Sequence, residues 1–198
     1  MKDLKFPIQF SFKIGTLAND FTAKDASGKT VAYVKQKMFK LKEAITIYSD
    51  ENKTKVDYTI AANQWLDFSA AYAFKDAQGK VFGKIARKGW ASMWKANYEI
   101  IDENEKLQYR ISESNPWVKV LDGVLGQIPV LSFFTGYLFN PSYDVKNLKD
   151  EIIVVLKKEP SLFGKEFKLE LLKPIDNDDD DRIMLGLMMM ILLERRRG

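Results

Sequence analysis

The C-terminal stretch of this chain constrains its fold more than any other segment. An acidic run over residues 176–181 leads into Arg182, and eleven apolar or glycine residues follow without interruption, from Ile183 to Leu193. A helix of this composition is apolar on every side, so protein or lipid must surround it. Eleven residues span about 17 Å, which is too short for a bilayer core of about 30 Å. We therefore predict a buried central helix over residues 181–196.

The rest of the chain is marked by a repeat of tight turns. Four segments that begin with aspartate recur at residues 25–29, 50–54, 76–80 and 102–106, and their aspartates are spaced by 25, 26 and 26 residues. Aspartate at the start of a turn bonds its own backbone, so these segments are typical of hairpin tips. Apolar and polar residues alternate between and after the turns, as in the strictly alternating stretch 166–171, and this period of two indicates strands.

Many antiparallel strands must protect their edges, and closure into a barrel does so. A barrel of about a dozen strands is too wide for its own side chains to fill. A short helix that is apolar on all sides would fill such a lumen. We predict a mainly β fold, a single domain over residues 1–198, built as a closed antiparallel barrel of about 12 strands around the C-terminal helix.

Composition excludes several kinds of chemistry. The chain has no cysteine and no histidine, so thiolate zinc sites, Ser-His-Asp triads and imidazole acid–base catalysis are all excluded. The net charge of +4 is too mild to predict nucleic-acid binding. No pair of carboxylates stands in an apolar setting, and no glycine-rich phosphate loop is present. We expect a protein that is not an enzyme, with no catalytic residue and no cofactor. The charged start, with Pro7, does not fit a signal peptide, so we expect a cytoplasmic protein.

The chain resembles the Tubby C-terminal-like superfamily, in particular its phospholipid-scramblase and LURP-one-related branch. The resemblance covers nearly the whole chain. It rests on the hairpin tip 24–29 with the strand 31–37 that follows it, on the repeated Asp-rich turns, and on the terminal helix after the strand 167–171. It implies a twelve-stranded barrel around a C-terminal helix. It also implies a role at membranes, since better-known members bind phosphoinositides or associate with lipid translocation.

The acidic run 176–181 invites comparison with a calcium site, and the resemblance implies one beside the terminal helix of scramblases. EF-hand spacing fails here, because the sixth position is Asp181 instead of glycine and the twelfth is Leu187 instead of glutamate. Carboxylates at a helix N-terminus are favoured by the helix dipole. We therefore expect a solvated helix start and no metal.

Two features favour a lipid-binding surface. Residues 115–141 interrupt the alternating pattern of the strands with an apolar, aromatic segment. We interpret it as a helix or loop insertion that either packs over one barrel mouth or contacts a membrane or ligand. Basic clusters follow the first and third hairpins, and cations attract lipid phosphates, although surface lysines on strands are common without binding anything. The candidate lipid-binding residues are Lys35, Lys37, Arg87, Lys88, Trp90, Trp94, Trp117, Phe133, Phe134 and Tyr137.

These features lead to a functional expectation with two alternatives. We expect a barrel that associates with anionic phospholipid or a membrane protein, peripheral to the inner face of the membrane. The first alternative is a soluble ligand-binding or enzymatic barrel in which residues 115–141 lid a pocket. The second is a structural oligomer that self-associates through residues 133–139.

Overall fold

The computed structural model describes residues 4–12, 20–36, 45–62, 71–87, 96–114, 141–159, 166–175 and 177–195. These residues form twelve strands and one helix. The strands are β1 (Ile8–Phe12), β2 (Phe21–Lys24), β3 (Thr30–Lys35), β4 (Ile45–Tyr48), β5 (Val56–Ala62), β6 (Ala71–Asp76), β7 (Val81–Arg87), β8 (Asn97–Asp102), β9 (Leu107–Glu113), β10 (Ser142–Lys146), β11 (Ile152–Glu159) and β12 (Glu166–Leu171), and the helix is α1 (Asn177–Arg195).

The strands form a closed antiparallel barrel in which each strand pairs with its neighbours in sequence. The last strand closes on the first, with Phe10 opposite Phe167 and Ile8 opposite Leu169. Closure leaves no strand edge open to another chain. The predicted fold class, a mainly β barrel of about 12 strands around a C-terminal helix, is confirmed.

Five tight turns lie at one end of the barrel, which we call the turn end: residues 25–29, 50–54, 76–80, 102–106 and 147–151. In the first turn, the Asp25 carboxylate accepts hydrogen bonds from the backbone N–H groups of Ser27 and Lys29, at 2.9 and 3.0 Å. Asp76, Asp102 and Asn147 make the same pair of bonds. The four Asp turns were predicted, whereas the fifth, which begins with asparagine, was not.

Each of these turns places its fourth residue in the left-handed region. The φ angles are +81° at Gly28, +60° at Lys53, +82° at Gly79, +63° at Glu105 and +59° at Asp150. The strand register shifts beside every one of them, as expected for a turn followed by a bulge. Glycine is thus used at two of five positions that share one backbone conformation.

The barrel lumen is filled by α1. Its side chains from Ile183 to Leu192 are at most 2% exposed, including Met188, Met189 and Met190. They belong to one hydrophobic core with inward-facing residues of all twelve strands, which include a ring cluster of Phe10, Phe12, Phe21 and Phe167. Burial of these side chains stabilises the fold by about 25 cal/mol for each Å² of apolar surface removed from water. The buried part of the helix, Ile183 to Leu192, lies within the predicted range 181–196.

The helix begins earlier than the predicted range 181–196, at Asn177, because its first turn is bonded to the barrel. The Tyr58 hydroxyl donates to Asp181 and the Tyr109 hydroxyl to Asp179, the latter at 2.8 Å. Arg182 donates to the carbonyl of Phe82 at 2.8 Å and pairs with Asp179. The start of α1 therefore lies at the turn end, where β5, β7 and β9 begin.

Two glycines lie where elements of the barrel approach closely. A Cβ atom on Gly186 would lie 2.9 Å from Cδ1 of Ile100, and one on Gly83 would lie 2.8 Å from the carbonyl oxygen of Ile101. The missing side chains therefore allow α1 to approach β8 at Gly186, and β7 to approach β8 at Gly83.

We expect Leu187→Ala to destabilise the protein by about 2–5 kcal/mol, because it leaves a cavity in the packed lumen. Leu187 is 0% exposed, whereas Leu172 is 56% exposed, so the matched variant Leu172→Ala should change stability by less than about 0.5 kcal/mol. Urea unfolding of the two variants measures the difference. Equal losses would contradict a buried helix.

The turns allow a second test, of backbone conformation alone. Nothing lies within 4 Å of a Cβ atom built on Gly79, so Gly79→Ala should cost about 1–2 kcal/mol through left-handed strain. Asp150 has a φ angle of +59°, so Asp150→Gly removes the same strain and should leave stability unchanged or raise it by up to about 1 kcal/mol. Thermal or urea unfolding measures both, and a loss of stability in Asp150→Gly would contradict this account of the turns.

Candidate lipid-binding surface

The odd-numbered strands all end at the side of the barrel opposite the turns, which we call the connection end. Its strand termini include Lys35, the last residue of β3, and Arg87, the last residue of β7. Both side chains are partly exposed. Since β3 and β7 are four strands apart in the barrel, these termini are separated by about 19 Å along the wall. Two predicted lipid-binding residues therefore lie at the same end, on different parts of its rim.

The other eight predicted residues lie outside the described residues. They are Lys37, Lys88, Trp90, Trp94, Trp117, Phe133, Phe134 and Tyr137. The insertion 115–141 is outside as well, apart from Pro141. Chain connectivity still relates them to the fold, because the segments that carry them join strand termini Lys35, Arg87 and Glu113 to the strands that follow. All ten predicted residues thus belong to strand termini, or to segments that leave from termini, at the connection end.

Charge is divided unequally between the two ends. The six segments that join strand termini at the connection end are 13–20, 36–44, 63–70, 88–96, 114–141 and 160–165, and they contain eight lysines against four acidic residues. The lysines are Lys13, Lys37, Lys40, Lys42, Lys88, Lys95, Lys119 and Lys165, and the acidic residues are Asp20, Glu43, Asp67 and Asp122. The five turns at the other end contain nine acidic and five basic residues. In sequence, the connecting segments are therefore net basic and the turns net acidic.

Tryptophan is divided in the same way. The chain has four tryptophans, and all of them, Trp65, Trp90, Trp94 and Trp117, occur in the segments of the connection end. Tryptophan is enriched where proteins meet the headgroup level of a membrane. The segments that leave the connection end therefore contain both the basic residues and all four tryptophans, although these segments are far apart in the sequence.

The mouth of the barrel at this end contains acidic side chains that the sequence did not single out. Glu113 points inward from the end of β9 and is 0% exposed. Glu194, near the end of α1, accepts a hydrogen bond from the Tyr98 hydroxyl at 2.7 Å. Burial raises the pKa of Tyr143 beside them, and the charges of Glu194 and Glu113 raise it further. No local pattern marks Glu113, because it is a single glutamate within an alternating strand.

A second missed group lies on the outer wall. Tyr33 is 3% exposed yet does not belong to the lumen core, and its hydroxyl donates to Asp20 Oδ2 at 2.7 Å. Burial, followed by the hydrogen bond to Asp20 and its negative charge, raises the pKa of Tyr33 to about 12. The ammonium of Lys53 lies 5.3 Å from the centre of the Tyr33 ring. The only sequence signal was that Tyr33 falls on the outward side of β3.

The acidic run of α1 has a structural role at the opposite end. Asp179 and Asp181 accept tyrosine hydroxyls, and Arg182 pairs with both Asp179 and Glu103. The expected solvated start of the helix is thus partly buried. Across the described ranges, no three acidic side chains are grouped so that they could hold a metal ion.

Two further features bear on the alternatives. A crevice of about 230 Å³ lies at the seam of β1 and β12, lined by Phe6, Pro7, Lys168, Glu170 and Leu171, and it is remote from the basic segments. Within the part of the chain that the structure describes, no helix is both long and apolar enough to span a bilayer.

Buried tyrosines predict how stability responds to alkali. The pKa values of Tyr33, Tyr58 and Tyr143 are all raised, chiefly by burial. An unfolded tyrosine has a pKa of about 10, so their contribution to stability is present below pH 10 and is lost as the pH rises toward the folded value, which is about 12 for Tyr33. We expect stability to fall from about pH 10 upward. The fall should be shallower in Tyr33→Phe, as measured by urea unfolding at several pH values, and an identical slope would contradict this assignment.

No protein-family model and no curated protein matches this chain. Its fold is similar to that of a protein from Arabidopsis thaliana, AT5G01750, known from an X-ray structure. The two chains are 12% identical, the alignment covers 98% of this chain and 93% of that chain, and the TM-score is 0.52. At this level of identity the similarity concerns the fold alone, and it extends over essentially the whole barrel.

Proposed function

We propose that this protein is a non-enzymatic barrel that binds anionic phospholipid at its connection end and associates peripherally with the inner face of the membrane. One observation carries the proposal. The segments that leave that end combine eight lysines, four acidic residues and all four tryptophans of the chain. Each cation near an anionic membrane surface contributes about 1 kcal/mol to binding, and tryptophan is suited to the headgroup level.

The polarity of the molecule supports binding by one end. The turn end carries more acidic than basic residues in its turns, and the Asp179, Asp180 and Asp181 side chains add to it. Burial, and then the charges of Asp181 and Asp179, raises the pKa of Asp180. An anionic surface would repel this end and attract the other, so the barrel would approach with its connection end first.

The family is part of the same proposal. We infer that the chain is a member of the Tubby C-terminal-like superfamily, in the scramblase and LURP-one-related branch. The twelve-stranded barrel around a C-terminal helix and the whole-chain similarity in fold to the Arabidopsis protein support this inference. The rival role, a pocket lidded by residues 115–141, has no supporting observation among the described residues.

Binding to protein-free vesicles tests the proposal. We expect sedimentation with phosphatidylcholine vesicles that contain phosphatidylglycerol, little sedimentation with phosphatidylcholine alone, and weaker binding at high salt. Lys35→Gln combined with Lys88→Gln should weaken binding about 25-fold, at about fivefold for each cation lost. The matched control, Lys80→Gln with Lys106→Gln, removes two lysines from the turn end and should leave binding unchanged.

Two outcomes would contradict this function. The first is the absence of binding to either vesicle, which would leave a membrane protein as the partner to be sought. The second is an equal loss of binding in the two double variants, because charge would then act without regard to the end of the barrel. Urea unfolding of all variants excludes a loss caused by misfolding.

A further inference from the structure

A group of polar side chains is buried on the outer wall of the barrel, beside the connection end. Asp20 and Thr22 are each 7% exposed, and Tyr33 is 3% exposed. Thr22 lies directly opposite Tyr33, while the flanking pair of Phe21 and Val34 faces the lumen. The group is therefore outside the core, on a wall where polar residues are usually solvated.

The Asp20 carboxylate is only half satisfied. Its Oδ2 atom accepts the Tyr33 hydroxyl at 2.7 Å, but its Oδ1 atom is buried and has no hydrogen-bond partner. A buried acceptor left without a donor costs about 1–3 kcal/mol, and more when the group is charged. Such an atom is a site for a donor, and a cationic donor would offset the charge as well.

A cation of this chain lies beside Asp20 but does not pair with it. Phe21 is opposite Val34, so the register extended by one residue places Asp20 next to Lys35. Cβ atoms of such opposite residues are about 5 Å apart. The salt bridges among the described residues do not include one between Asp20 and Lys35. The Asp20 carboxylate, which can accept a hydrogen bond from a cation, and the Lys35 ammonium, which can donate to an anion, are therefore adjacent but do not form a salt bridge with each other.

We propose that Asp20 and Lys35 bind a zwitterionic group made of a primary ammonium and a phosphate, as in phosphoethanolamine. The ammonium donates to Asp20 Oδ1, and Lys35 holds the phosphate. A choline group cannot replace it, because a quaternary ammonium has no N–H to donate. Since Oδ1 is buried, neighbouring side chains must move aside for the ammonium to reach it. The proposal rests on the proposed function insofar as the group is the headgroup of a membrane lipid.

Vesicles with a constant fraction of phosphatidylglycerol test the lipid form of the ligand. Replacing part of the phosphatidylcholine by phosphatidylethanolamine should tighten binding by about tenfold, the value of a hydrogen bond to a charged group. In Asp20→Asn the preference for ethanolamine should disappear, because an amide N–H₂ replaces the acceptor, while binding driven by phosphatidylglycerol remains. The matched control Asp57→Asn lies on β5 near the turn end and should keep the preference.

Calorimetry with soluble phosphoethanolamine tests the free form, and phosphocholine is its negative control. Binding of phosphoethanolamine that is lost in both Asp20→Asn and Lys35→Gln would establish the site even if no vesicle binds, in which case the proposed function alone fails. The absence of both an ethanolamine preference on vesicles and calorimetric binding would overturn the site. So would an Asp20→Asn variant that retains either one.

Discussion

The filling of a wide barrel by an all-apolar helix is the constraint on which the rest of this structure depends. Twelve strands enclose a lumen that their own side chains cannot fill, and α1 cannot be exposed to water on any face. The helix and the inner face of the barrel therefore bury each other's apolar surface. The fit is close at Gly186, where a Cβ atom would lie 2.9 Å from the Ile100 side chain of the wall. The position of the helix along the axis is set by bonds at both ends, from Tyr58 to Asp181 and from Tyr98 to Glu194.

The sequential pairing of the strands divides the links between them into two classes. The turns that lead from even to odd strands are short and alike, and their Asp or Asn side chains bond the backbone. The segments that lead from odd to even strands differ widely in length and composition, from the short 160–165 to the long 114–141. Tight turns need particular residues at particular positions, whereas long connections tolerate change. Basic and aromatic residues can therefore occur in these connections without changing the residues that form the tight turns.

The same division explains what could be predicted from the sequence. The turns and the helix are local signals, so the barrel, its closure and its buried methionines followed from spacing and composition. The turn at Asn147 was missed because asparagine replaced the aspartate that defined the repeat, although it makes the same bonds. The contact of Tyr33 with Asp20 depends on strand register, and that of Asp181 with Tyr58 joins residues 123 positions apart. Of the predicted lipid-binding residues, Lys35 and Arg87 could be placed on the rim, because they end regular strands.

The dipole of the central helix links the stability of the barrel to the distribution of charge between its two ends. Its positive N-terminal end lies among the carboxylates of Asp179 and Asp181 at the turn end, and its negative C-terminal end lies at the connection end. The carboxylates at the N-terminal end lower the energy of the helix dipole. A barrel with its helix in this orientation therefore favours acidic residues at the turn end and basic residues at the connection end, independently of any ligand. The lipid-binding role proposed above would therefore use the sign of charge that the helix dipole favours at the connection end, without a conflict between binding and stability.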